Sequence, residues 1–169
     1  MKLKNIKISN YRCFKEAEID FDDHITLVVG KNGAGKTAIL DAVAVSVSTF
    51  LLGIDGGVSR SILKDDARYE FHDLNGTIDP QHQFPVSIES TGDCLNQQNV
   101  KWIRSLNSES GKTTIKDSSE LTGLAKKAQN QIMTGDKYLI LPLISYYGTG
   151  RLYAVSYTHL RAHETTLHL

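Results

Sequence analysis

Eight consecutive residues, Gly30-Lys31-Asn32-Gly33-Ala34-Gly35-Lys36-Thr37, combine three glycines, two lysines and a hydroxyl at close spacing. Glycine at 30, 33 and 35 lets the chain curl tightly and bring bare amide N–H groups against an anion, where a side chain would block the approach or forbid the dihedrals. Lys36 adds a mobile positive charge, and Thr37 adds a hydroxyl suited to a hard divalent cation. The chemistry that fits is the gripping of a polyphosphate. The amides of Asn32 to Ala38 line the grip, Lys36 acts on the outer phosphates as the residue closest to catalysis, and Thr37 serves as the metal ligand. ATP and Mg²⁺ are the expected ligands. A second Gly-Lys-Thr at 111–113 has Leu106 where the leading glycine is needed and no apolar run before it, so it reads as an ordinary loop.

A phosphate grip of this kind needs a strand before it and a helix after it. Residues 25–29, Ile25-Thr26-Leu27-Val28-Val29, are a continuous apolar run suited to a strand covered on both faces. A helix is expected from about 35 to 52, closed by Gly53 and the turn-rich Asp55-Gly56-Gly57. Its valines and threonines weaken intrinsic helix propensity, so burial must hold it in place. Upstream, the alternation over 2–9 (Leu3, Ile6, Ile8) and over 18–21 reads as two half-buried strands, followed by a turn at Asp22-Asp23-His24.

Downstream, 85–89 and 99–106 read as strands joined through Thr91-Gly92-Asp93, an antiparallel layer packed by Trp102, and 107–114 is a polar loop. A helix over 120–133, capped by Ser118 or Ser119, puts Leu121, Leu124, Ala125, Ala128 and Ile132 on one face. Residues 138–147 look strand-like, with Pro142 marking an edge or a bulge.

Composition narrows the function classes. With 40% hydrophobic and 22% charged residues, the chain can bury a core. Nineteen basic residues cancel nineteen acidic ones, so no global field draws it to nucleic acid or to a membrane, and such contacts would need a local patch. Cys13 and Cys94 are far apart and lack metal-ligand spacing, which suits reduced thiols in a cytoplasm. No signal-peptide run follows Met1, and the most apolar stretch, 38–52, carries Asp41 and several serines and is too short for a bilayer. The expected location is cytoplasmic, with no membrane partner.

Residues 155–165, Val155-Ser156-Tyr157-Thr158-His159-Leu160-Arg161-Ala162-His163-Glu164-Thr165, resemble the one-frame translation of a transposase-type sequencing adapter, and His168-Leu169 continue it past a variable index. On that reading 155–169 is a non-native tail, and His159, His163 and His168 drop out of any catalytic or metal argument. Residues 1–154 are then the truncated N-terminal part of a P-loop ATPase domain.

The opening block, 3–14 with 19–21 and 25–42, resembles the N-terminal lobe of the SMC, RecF and double-strand-break-repair class of ABC-type ATPases. Those families carry an Asn-aromatic-Arg turn, here Asn10-Tyr11-Arg12, then a Gly-x-Asn-Gly-Ala/Ser-Gly-Lys-Ser/Thr loop and a helix opening on Leu-Asp-Ala, here Leu40-Asp41-Ala42. The resemblance implies an α/β fold of ABC/SMC-head type, N-terminal lobe only, with an antiparallel β layer. It implies Arg12 as a nucleotide contact beside the loop Gly30, Lys31, Asn32, Gly33, Ala34, Gly35, Lys36, Thr37 and Ala38, against the plain alternative of a surface salt bridge for Arg12. Asp41 reads as structural or interfacial.

The resemblance also implies a homodimer of heads sandwiching ATP, DNA as a partner, and a Walker B Asp-Glu pair, a signature segment and a switch histidine. None of these last three motifs occurs in the sequence, so this chain is expected to bind nucleotide without turning it over. Gln81, Gln83, Gln97 and Gln98 all stand as alternatives for the family's glutamine loop. Residues 142–152 are similar to predicted bacterial ATP-binding proteins, some from anti-phage systems of the retron and Septu kind that work with an effector nuclease; Arg151 would there lie near nucleotide or partner. A P-loop phosphotransferase or an ABC transporter subunit are the alternatives. The two strands and the Asn10-Tyr11-Arg12 turn ahead of the loop argue against the first.

Overall fold

A computed structural model describes residues 1–74 and 77–148. Arg151 and the tail at 155–169 lie outside the described residues. The chain runs β1 (Lys2–Tyr11), β2 (Phe14–Asp20), α1 (Lys36–Ser48), β3 (Tyr69–Leu74), β4 (Thr77–His82), β5 (Val86–Cys94), β6 (Gln97–Leu106) and α2 (Ser119–Met133). Four strands form one antiparallel sheet in the order β2-β1-β5-β6, and β3 and β4 pair as a separate hairpin.

β1 sits inside the sheet because its alternation sends Ile6 and Ile8 to one face, both almost fully buried. The alternation then breaks at Asn10, which has a φ of 50°, and Tyr11 is buried as well. Arg12 and Cys13 make the two-residue turn into β2, with Tyr11 paired to Phe14. Helix α1 lays Ala38, Ala42 and Val45 on the same core as Ile6, Ile8, Val86, Ile88 and Leu106. Small residues on the helix let it approach the sheet closely.

A second core joins Phe50, Cys94, Val100 and Trp102 to Leu121, Leu124 and Ala125 of α2. Trp102 packs here as expected, and its indole N–H donates to Ser46 O (3.0 Å) and Ser46 Oγ (3.2 Å). Ser46 Oγ in turn meets Ser90 Oγ at 2.6 Å. Arg104 is also buried, donating to Thr49 Oγ1 at the C-terminal end of α1, where the carbonyl ends of the helix favour a cation.

Several expectations are corrected. Residues 25–29 form no ladder with any described strand, and Ile25, Leu27 and Val29 are 77–80% exposed. A buried strand needs neighbours on both sides, and the ladders of the six described strands involve only those strands, with one further bridge from Tyr11 to Ala67. The helix after the loop ends at Ser48 and tightens into a 3₁₀ turn over Thr49–Gly53. With that turn it spans 36–53 and reaches the length and hydropathy of a membrane span, yet half of it is buried in this fold and it carries the ion-paired Asp41. It is a core helix.

β5 continues straight through Thr91-Gly92-Asp93, and the chain reverses at Leu95-Asn96 instead. The β3–β4 hairpin was not anticipated. Residues 138–147 are not a strand. Ser118 stands at the N-cap of α2, but its hydroxyl donates to Ile103 O (2.7 Å) rather than capping the helix. Ile132 is 38% exposed at the far end of that helix's apolar face.

Trp102→Ala is expected to lower the unfolding free energy by about 3–5 kcal/mol. The adjacent but exposed Lys101→Ala should change it by no more than about 0.5 kcal/mol. Urea unfolding of both variants checks the assignment, and equal effects would place Trp102 outside the core.

Candidate functional site

The loop at 30–37 runs straight into α1, so the helix side of the expected junction is met, while the 25–29 arm is extended but unpaired. Gly33 and Gly35 hold φ values of 83° and 86°, the left-handed region that suits glycine. Gly35 is also the N-cap of α1, which has neither a side-chain cap nor an acid in its first turn. The first amides of the helix are therefore left for something other than the protein's own side chains, and the dipole there favours an anion.

The Cys13–Phe14 corner presses on this junction. A Cβ on Gly35 would lie 2.6 Å from Phe14 Cζ and 2.7 Å from Cys13 Sγ, closer than real Cβ atoms come to their neighbours. That approach unites the β1–β2 turn with the loop in one cleft of about 490 Å³, lined by Arg12, Cys13, Asn32, Gly33, Gly35, Lys36, Thr37 and Ala38. Thus seven of the residues singled out in the sequence share one wall. Cys13 joins them unanticipated, its only signal being its place next to Arg12 in the turn.

Gly30, Lys31 and Ala34 contribute differently. The Lys36 ammonium donates to Gly30 O (2.8 Å) and Lys31 O (2.7 Å), and Ala34 N–H donates to Lys31 O (3.2 Å). The loop is tied to its own helix through the lysine. The Gly-Lys-Thr at 111–113 is a loop, and Thr113 Oγ1 donates to Ile62 O (3.0 Å).

Arg12 is both cleft-lining and ion-paired, so the two sequence readings coexist. Its φ is 51°, its main-chain N–H donates to Asp66 O (2.7 Å), Nε donates to Asp66 Oδ1 (2.8 Å) and Nη1 meets Asp41 Oδ2 (2.5 Å). Burial alone would pull its pKa down. The hydrogen bond to Asp66 and the charges of Asp66 and Asp41 outweigh that and push it up, so Arg12 is a permanent cation.

Asp41 is 4% exposed and takes, besides Arg12, Arg60 Nη2 at 3.0 Å and the Tyr146 hydroxyl. The Arg60 guanidinium also lies 5.2 Å from the Tyr146 ring centroid. Burial and the bond to Asp41 push the Tyr146 phenol up, which keeps it a donor. Among the described residues, no group of three or more His, Cys, Asp or Glu could hold a metal ion by itself. Thr37 is exposed at the start of α1 and lines the cleft.

Gly35→Ala should destabilise the fold more than Gly33→Ala. Both pay the left-handed penalty of about 1–2 kcal/mol, but only at 35 does the added carbon strike Phe14 and Cys13, whereas at 33 nothing lies within 4 Å. Thermal unfolding of the pair tests this packing, and the reverse order would contradict it.

A family model described as an AAA domain matches residues 5–165. The DNA double-strand break repair Rad50 ATPase of Archaeoglobus fulgidus is 46% identical over 44 residues, which is 26% of this chain and 5% of that protein. The DNA replication and repair protein RecF of Flavobacterium johnsoniae is 51% identical over 43 residues, 25% of this chain and 12% of its own. RecF of Chlorobium phaeobacteroides is 35% identical over 89 residues, 53% and 23% respectively. The chain thus spans less than a quarter of the length of each of these relatives. A solved structure from work on ATP-driven dimerization and DNA-stimulated activation of SMC ATPases aligns with 85% of this chain and 87% of that one, at TM-score 0.47 and 18% identity. With the loop, the start of its helix and Arg12 of the β1–β2 turn on one cleft inside the matched span, the chain belongs to the AAA domain family, and over part of its length it is similar to Rad50 and RecF.

Proposed function

We propose that this chain binds ATP with Mg²⁺ in the cleft between the 30–37 loop and the Arg12–Cys13 turn. The observation that carries the reading is the uncapped start of α1 behind two left-handed glycines, flanked by Lys36, Thr37 and Arg12. Loop amides and the helix end hold the phosphates, Lys36 exchanges its two main-chain carbonyls for phosphate oxygens, and Thr37 Oγ1 ligates the metal. Mg²⁺ supplies neutralisation of the phosphate charge, and Arg12 supplies a second cation at the mouth of the cleft.

In the protein to which this region belongs, the nucleotide is hydrolysed between two heads, and the closure acts on DNA. Repair is the favoured setting because the relatives that the chain matches are named for DNA repair. Defence against phage with an effector nuclease is the second setting, supported by the likeness of 142–152. The location that goes with either is cytoplasmic. The 169-residue chain itself does not turn ATP over: it lacks the Asp-Glu pair and signature segment of the family, and its 25–29 arm has no ladder partner among the described residues. Residues 155–169 are an adapter-derived tail.

Titration with a fluorescent ATP analogue tests the site. Lys36→Ala should weaken binding by about 10- to 100-fold, the worth of a charge-assisted contact. Thr37→Ala should abolish most of the enhancement by Mg²⁺ while leaving metal-free binding in place. An unchanged affinity in Lys36→Ala would remove the nucleotide reading, and steady turnover by the 169-residue chain, lost in Lys36→Ala, would overturn its proposed incompetence.

A further inference from the structure

The geometry points to Asp41 as a positioning residue for Arg12, one that aims the guanidinium at the cleft from the helix that grips the phosphates; this rests on the nucleotide reading of the cleft. An arginine in a two-residue turn is long and flexible, and its position must come from what holds it. Two carboxylates do so from different elements. Asp66 takes Nε, accepts the main-chain N–H of Arg12, and is itself fixed by Leu63 N–H on its other oxygen at 3.0 Å. With Nε pinned, the remaining freedom is a swing of the two Nη groups about that point. Asp41 stops the swing by taking Nη1.

Asp41 is well placed for that task. It lies four residues beyond Thr37 on α1, hence one turn along the same helical face. The rigid helix therefore fixes the distance between the residues that meet the phosphates and the residue that orients Arg12. Asp41 is in turn held by Arg60 and Tyr146, so its carboxylate cannot follow Arg12 if that side chain moves. A buried ion pair adds little net stability, because desolvation offsets attraction, whereas it does fix geometry.

Electrostatics alone makes the opposite prediction, which is what renders the role testable. Asp41 is a negative charge near a site for an anion, so a mere counter-charge would oppose binding, and its removal would tighten the complex. A positioning residue does the reverse.

The experiment is titration of the full chain with a fluorescent ATP analogue and Mg²⁺, comparing wild type, Arg12→Ala, Asp41→Asn and the double variant. Asp41→Asn is expected to weaken binding at least about threefold, and the double variant to bind no more weakly than Arg12→Ala, the non-additivity of residues acting through one another. Arg12→Lys, which keeps the charge but cannot engage two acids with a planar fork, should fall to the level of Arg12→Ala. This second variant leaves the buried carboxylate in place and so answers the question even where Asp41→Asn fails to fold. Tyr146→Phe removes one of the two groups that hold Asp41 and leaves Arg60 in place, so it should weaken binding less than Asp41→Asn does. Tighter binding in Asp41→Asn, additive losses in the double variant, wild-type affinity in Arg12→Lys, or a larger loss in Tyr146→Phe than in Asp41→Asn would each overturn the assignment. A wild-type chain that ignores ATP, or a Lys36→Ala variant that binds normally, would instead end the nucleotide reading itself.

Discussion

The contact between Gly35 and the Cys13–Phe14 corner determines whether there is a site at all. The hairpin turn and the phosphate loop are separate in sequence, and each comes from a rigid element: β1 from the middle of a four-stranded sheet, α1 from a core of alanine and valine. Only where the loop carries no side chain can the two touch, with the virtual Cβ at 2.6 Å from the Phe14 ring. That single approach puts Arg12 and Cys13 on the same cleft as Lys36, Thr37 and Ala38. Sites borne by such elements keep their geometry better than sites borne by loops alone.

The charges follow the same layout. The chain as a whole is neutral, which hides a local separation of sign. Lys36, Arg12 and the start of α1 present positive charge to the cleft, while Asp41 and Asp66 are buried behind them. Neither acid lines the cleft, and Arg12 and Arg60 compensate carboxylates whose burial would otherwise be costly. Total charge could not reveal this, because the relevant quantity is which sign reaches solvent at one mouth.

The parts legible in the sequence are those governed by local chemistry. Glycine spacing identified the loop because left-handed dihedrals are a property of single residues, and the alternation of Ile6 and Ile8 identified β1 because pleating is local too. The parts that were not legible depend on distant partners. Gly92 looked like a turn, yet it is glycine because the Lys2 carbonyl of the neighbouring strand would stand 2.3 Å from its Cβ. The actual reversal falls on Leu95, at φ 54°, a residue no turn rule would select. The β3–β4 hairpin leaves Phe71 and Ile78 exposed and carries Pro80, so it offers no buried face from which a period could be read. Asp66, which grips Arg12 from 54 residues away, had no signal at all.

The apolar run at 25–29 shows how far a local signal can go. Its composition correctly reports an appetite for burial, but not where the covering surface is, and the described strands leave Ile25, Leu27 and Val29 in water. The loop is consequently anchored unequally. Its C-terminal arm is a packed helix, and its N-terminal arm is an extended segment without a ladder. What joins the two arms is the Lys36 ammonium on the carbonyls of Gly30 and Lys31. A polyphosphate competes for that same ammonium, so closing the loop and gripping the anion draw on one positive charge. The loop can release its lysine at low cost only when the 25–29 arm is held by something else, and a covering for those three apolar side chains would therefore strengthen the grip on nucleotide without touching it.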